Sequence, residues 1–276
     1  MSATVIAKAD GTGLYSPSFI RQGGTYYVYA NAADAGTPAS GIASIKADVS
    51  AITAGATAVS LSAGSYSVGG LTYGFRSASL TAGNPLTTGS NNYTMTSVDV
   101  AGNSRLQIGF SVTVDNTAPA ATDIQCGNGS GGAAGRLDVG DACVFTFSEA
   151  IDPQSILAGW TGASTTIVVR FTNSGTADTF AIWNAANTAQ LNLGSVNTNG
   201  DYVNANVTAG ASGTASTMVL GSNTITVTIG TLTSGVTTDS SARTSAWAPS
   251  TSAFDRAGNA MSASSVNEGG ASDKDF

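Results

Sequence analysis

The stretch YTMTSVDVAGNSRLQIGFSVTV, residues 93–114, decides the fold class. Tyr93 to Val98 is rich in β-branched and aromatic residues, Asp99-Val100-Ala101-Gly102-Asn103 carries turn chemistry, and Leu106, Ile108, Phe110, Val112 and Val114 fall on alternate positions. A period of two places every second side chain on one face of a pleated strand, so the stretch reads as a β-hairpin. Working outward, short runs bounded by Gly clusters repeat the pattern at 25–30, 41–49, 58–62 and 71–76. Beyond Asp115-Asn116-Thr117-Ala118-Pro119 the alternation restarts, at 124–126, 142–148, 166–171, 179–183, 190–193, 202–207, 218–220 and 224–229. The one helix-like segment is Asp152 to Leu157, with Asp as cap and Pro153 at the first helical position, and it spans one turn at most.

Composition agrees with an all-β chain. Gly, Ser and Thr abound, whereas the chain has only 2 Glu and 3 Lys, so long amphipathic helices are excluded. At roughly 100–200 residues per domain, 276 residues make two domains, with the boundary at Pro119: residues 1–117 and 118–276. Seventeen acids against ten bases, with the seven Arg scattered singly, argue against nucleic-acid binding. The absence of His removes Ser-His-Asp and Cys-His pairs and HExxH zinc sites. No run approaches the roughly 18 apolar residues of a membrane helix, so membrane insertion is not expected. Residues 1–13 do not read as a signal peptide, so export would need a leader beyond them.

Cys126 and Cys143 are 17 positions apart, which fits neither a CxxC redox motif nor half of a four-ligand zinc site. A structural disulfide joining neighbouring strands is the expectation, and with it an oxidising, extracytoplasmic location; two buried thiols in a cytosolic protein are the alternative.

Internal similarity and motif carry a resemblance. DVAGN at 99–103 recurs as DRAGN at 255–259, as though both halves closed with one hairpin turn. With VDNTAP at 114–119, Gly140-Asp141, and Phe147-Ser148-Glu149-Ala150-Ile151-Asp152, these motifs resemble bacterial Ig-like domains found in tandem in large secreted and cell-surface proteins. The resemblance spans nearly the whole chain. It implies two tandem Ig-like Greek-key β-sandwiches, the second longer and ending in a polar tail or linker over residues 268–276, and it says little of function.

Four constellations carry candidate chemistry. Asp34, Asp99, Asn103 and Asp115 come from loops and the domain junction, where hard oxygen ligands can hold calcium; the resemblance implies structural calcium between repeats, and the plainer reading is turn-shaping. Trp160, Trp183, Trp247 and Tyr202 could form an aromatic platform for glycans, against a reading in which they fill the core and cover sheet edges. Glu149 with Asp152, or Asp138 with Asp141, are pairs for acid–base work, but both lie in turn contexts, where acids shape the fold. Thr224, Thr226 and Thr228 share one strand face, as on any half-exposed strand.

The expectation is a non-enzymatic, extracellular or cell-surface segment, a structural or adhesive spacer whose partners are neighbouring domains of a larger protein, with surface glycans or a protein receptor as further partners. A glycan-binding accessory module and a filament subunit are the alternatives.

Overall fold

Strand-forming residues between Gly-, Asn- and Asp-rich turns make the regular structure of the described residues β apart from one short helix. The computed structural model describes residues 1–9 and 16–276. They divide into two units, residues 1–117 with 256–259, and residues 118–255 with 260–276.

The first unit contains β1 (Ala3–Lys8), β2 (Phe19–Ile20), β3 (Thr25–Asn31), β4 (Ile42–Asp48), β5 (Val59–Val68), β6 (Leu71–Ser77), β7 (Leu80–Thr81), β8 (Gly89–Asp99) and β9 (Ser104–Val114). They form one sheet in the order β1-β3-β6-β5-β4-β8-β9-β2, with β7 against β3. The parallel β2–β9 pair and the Ser18 N–H to Ile6 carbonyl bond of 2.7 Å bring the two ends together, so the sheet is nearly barrel-like. Neighbouring residues of β1 and β3 serve two apolar clusters. Ile6, Tyr26 and Val28 join Ile45, Met95, Val112 and Val114 in the larger, and Val5, Ala7 and Tyr29 join Val68 and Tyr73 in the smaller. This two-sided burial is why β1 lacks alternation and escapes the sequence reading: Val5-Ile6-Ala7 is one short apolar run.

The 93–114 hairpin forms, but its alternation does not run through. Tyr93 pairs with Phe110 whereas Met95 pairs with Gln107, so β9 carries one extra residue there, at a bulge where Gly109 has φ +88°. A left-handed backbone suits Gly, and one inserted residue exchanges the faces of a strand. Val112 and Val114 therefore point inward, while Leu106 and Ile108 stand 63% and 73% exposed.

The second unit contains β10 (Ala121–Gly127), β11 (Ala142–Phe147), α1 (Pro153–Ile156), β12 (Thr165–Thr172), β13 (Thr179–Asn184), β14 (Gln190–Asn197), β15 (Val207–Ala209), β16 (Ser216–Leu220), β17 (Thr224–Thr228), β18 (Ala246–Ala248) and β19 (Val266–Asn267). The sheet order is β10-β11-β17-β16-β12-β13-β14-β18-β19, with β15 against β12. Side-chain bonds between β10 and the residue after β19, Gln125 Nε2 to the Gly269 carbonyl and the Gly269 N–H to Asp123 Oδ1, bring its ends together as well. Cys126 and Cys143 are direct cross-strand partners on β10 and β11 and form the expected disulfide. Trp247 fills the centre, its ring edge-on to Phe145 and Phe147 at 5.0 and 5.1 Å. On β17 the burial alternates as read, Ile225 and Val227 inside and the threonines half-buried.

Three expectations for residues 118–276 need correction. Residues 202–206 are not a strand, because the Tyr202 and Val203 amides donate to Asp178 instead of to a ladder. Residues 255–259 are held by isolated antiparallel bridges, Phe254 with Ala260 and Asp255 with Ile151, and not by a strand hairpin like that at 99–103. Residues 268–276 are not wholly a polar tail: Phe276 is fully buried, edge-on to Phe171, Phe180 and Tyr202, and its carbonyl accepts from the Gly135 amide.

Candidate functional site

The four proposed calcium ligands do not form one site. Asp34, Asp99 and Asn103 line one shallow cavity of about 170 Å³, formed where the β8–β9 turn meets the loop before β4. Asp115 follows Val114 at the other end of the eleven-residue β9, about 36 Å along the strand at roughly 3.3 Å per residue. Within the cavity the carboxylates already serve amides. Asp34 Oδ1 accepts from Gly36 N, and Oδ2 from the amides of Ser40 and Gly41 and from Ser40 Oγ. These bonds, led by that from Gly36, hold Asp34 below the ordinary carboxylate range. Asp99 accepts from the backbone and side-chain nitrogens of Asn103 at 2.7 and 2.8 Å, which closes the hairpin turn. Asp115 Oδ1 accepts from Thr117 N.

The aromatic set does not form a platform either. Trp247 and Tyr202 have no exposed surface and Trp160 has 5%, because apolar rings of this size complete the core of the unit. Both buried indole N–H groups donate to carbonyls, Trp160 to Ala163 and Trp247 to Leu193. Trp183 alone of the four reaches the surface, on the outer side of β13. There Arg170 lies 3.6 Å from its ring centre, held by Nε and Nη2 bonds to Asn187. Around this pair the outer faces of β12, β13 and β14 make a polar concavity of about 360 Å³, which also includes Gln190, Asn206 and Thr208.

The paired acids sit in turns. Asp141 takes the amides of Gly129 and Asp138, Asp138 takes that of Ala133, and Asp152 caps α1 by accepting from Gln154 N. Burial pushes Asp141 above the ordinary carboxylate range, against the lowering effect of its two amide donors.

One grouping escaped the sequence reading. Glu268, Asp273 and Asp275 bring their carboxylates within 4.8 Å of one another in the second unit. Glu268 is 7% exposed and Asp275 fully buried, while Asp273 lies at the surface. Ser245 serves both buried groups, its amide donating to Glu268 Oε2 at 3.0 Å and its hydroxyl to Asp275 Oδ2 at 2.7 Å. Burial raises both carboxyls above their ordinary range, Glu268 to about 7. The available signal was small: Glu268 is one of only two Glu in the chain, and an aromatic residue follows the acids.

No helix among the described residues is long and apolar enough to cross a membrane. Compared with family models and with curated proteins, the sequence matches none.

Proposed function

We propose that the chain is a non-catalytic structural or adhesive segment of a secreted or cell-surface bacterial protein, built of two Ig-like units and acting as a spacer or display module. One observation carries this reading, the use made of the acids. Asp34, Asp48, Asp99, Asp115, Asp123, Asp138, Asp141, Asp152, Asp178 and Asp239 each accept from backbone amides. In a chain without His the carboxylates are the main candidates for acid–base work, and carboxylates fixed by amides shape loops. The Cys126–Cys143 bridge supports an oxidising compartment. The test is a screen of the full chain for hydrolysis of polysaccharide and peptide substrates. No turnover is expected, and turnover that disappears in Asp152→Asn with the fold intact overturns the proposal.

A second reading, a glycan-binding accessory module, draws on the concavity beside Trp183, where an indole and several amide and hydroxyl side chains converge. A glycan array separates the two. Saturable binding lost in Trp183→Ala favours the module, and an unbound array favours the spacer.

A further inference from the structure

Two carboxyl groups buried side by side are costly, because each charge loses its hydration and repels the other. Here a third carboxylate, Asp273, stands within the same 4.8 Å. Ser245 supplies a donor to one oxygen of each buried group and leaves Glu268 Oε1 and Asp275 Oδ1 without a hydrogen-bond partner. The nearby guanidinium of Arg243 does not supply the missing positive charge, since its Nε is paired with Asp239 at 2.7 Å. A separate group points to the same place. The Tyr202 hydroxyl, close enough to Asp275 to feel its charge, is fully buried and without a hydrogen-bond partner.

We propose that Glu268, Asp273 and Asp275 form a binding site for a hard divalent cation of calcium size within the second unit. The two oxygens without donors and the Asp273 carboxylate are the protein ligands, and all three are the oxygen type that such ions select. Two metal–oxygen bonds of about 2.4 Å span at most about 4.8 Å across the ion, and the three carboxylates lie within that span of one another. Ser245, bonded to the other oxygen of each, fixes the orientation of both buried ligands. Asp273, at the surface, gives the ion its way in and leaves room for water to complete the coordination. The site is independent of the spacer role and involves none of Asp34, Asp99, Asn103 or Asp115.

The test is isothermal titration calorimetry of calcium chloride, with magnesium chloride alongside, into the chelator-treated full chain at pH 7.5, with thermal melts followed by tryptophan emission. One calcium site of this composition is expected, with a higher melting temperature on binding and at least tenfold weaker affinity for magnesium. The double variant Glu268→Gln, Asp275→Asn keeps acceptors for Ser245 and is expected to bind calcium at least 100-fold more weakly. Asp273→Asn, at the surface, keeps the fold readable if the double variant does not fold, and is expected to lose at least fivefold in affinity. Absence of calcium binding at millimolar concentration, equal affinity for magnesium, or wild-type affinity in either folded variant overturns the proposal.

Discussion

In the first unit Asp34, Asp48 and Asp99 lie at or near the surface and organise loops a few residues long, from Asp34 to Gly41, from Asp48 to Ser50 and from Asp99 to Asn103. In the second unit Asp141 and Asp178 are fully buried, and Asp178 ties segments that are distant in sequence. Asp178 accepts from Ser174 N with one oxygen and from the amides of Tyr202 and Val203, 24 and 25 residues away, with the other. The same residue type thus shapes turns where a regular ladder carries the chain, and replaces the ladder where it does not. A buried amide without an acceptor costs more than a solvated one, so acids that look alike in sequence differ widely in their weight.

The comparison can be broken experimentally, because all three Trp lie in the second unit and seven of the eight Tyr in the first. Tryptophan emission therefore follows one unit and the near-ultraviolet tyrosine signal mostly the other. The largest effect is expected for Trp247→Ala, which empties the centre of the second core at a cost of about 3–5 kcal/mol; its emission-detected melt should fall steeply while the tyrosine melt stays. Asp178→Ala strands two buried amides and is expected to cost about 2–4 kcal/mol in the second unit. Asp34→Ala should barely move the tyrosine-detected melt, and a comparable loss there would abolish the distinction between the units. Replacing both Cys126 and Cys143 by Ser reopens a short loop, with an expected loss of about 3 kcal/mol in the chain-entropy model, again confined to the tryptophan signal.

The smallest effect sharpens the contrast through pH. Amide and hydroxyl donors hold Asp34 and Asp48 below the ordinary carboxylate value, so their contribution is present above about pH 4 and is lost as pH falls through the folded values. Burial raises Asp141, Glu268 and Asp275, so their contribution is complete below the ordinary value and is lost as pH rises through the folded ones. In chelator-treated protein, acidifying from pH 7 to 5 should therefore raise the tryptophan-detected melting temperature. Acidifying below about pH 4 should lower the tyrosine-detected one. A tryptophan melt that falls between pH 7 and 5 would contradict the assignment of raised carboxyls to the second unit.

Most strands were legible because alternation and turn residues are local signals. The limits of β3, β4, β6 and β11 follow from a few residues each, as does the single turn of α1 behind Asp152. What stayed hidden depends on distant partners. The bulge at Gly109 reverses the faces of β9 without disturbing an apolar series that looks unbroken in sequence. The exposure of Trp183 and the burial of Trp160, Trp247 and Tyr202 depend on which side of a ten-stranded sheet each ring meets. The grouping of Glu268, Asp273 and Asp275 arises only when the polar stretch 268–276 folds back against Ser245 and Phe276 enters the core.

The bond from the Gly269 amide to Asp123 has a consequence in time. It joins residues 146 positions apart, so β10 emerges in synthesis long before its partner across the sheet seam exists. At about 5–20 residues per second that interval is about 7–30 s, during which one border of a β-strand lies open to wrong pairing. Cys143, by contrast, follows Cys126 within about 1–3 s at the same rates. Early oxidation would fasten β10 to β11 and fix its register while the opposite border waits. The bridge would then act as a clasp during birth of the chain as well as a brace in the finished unit.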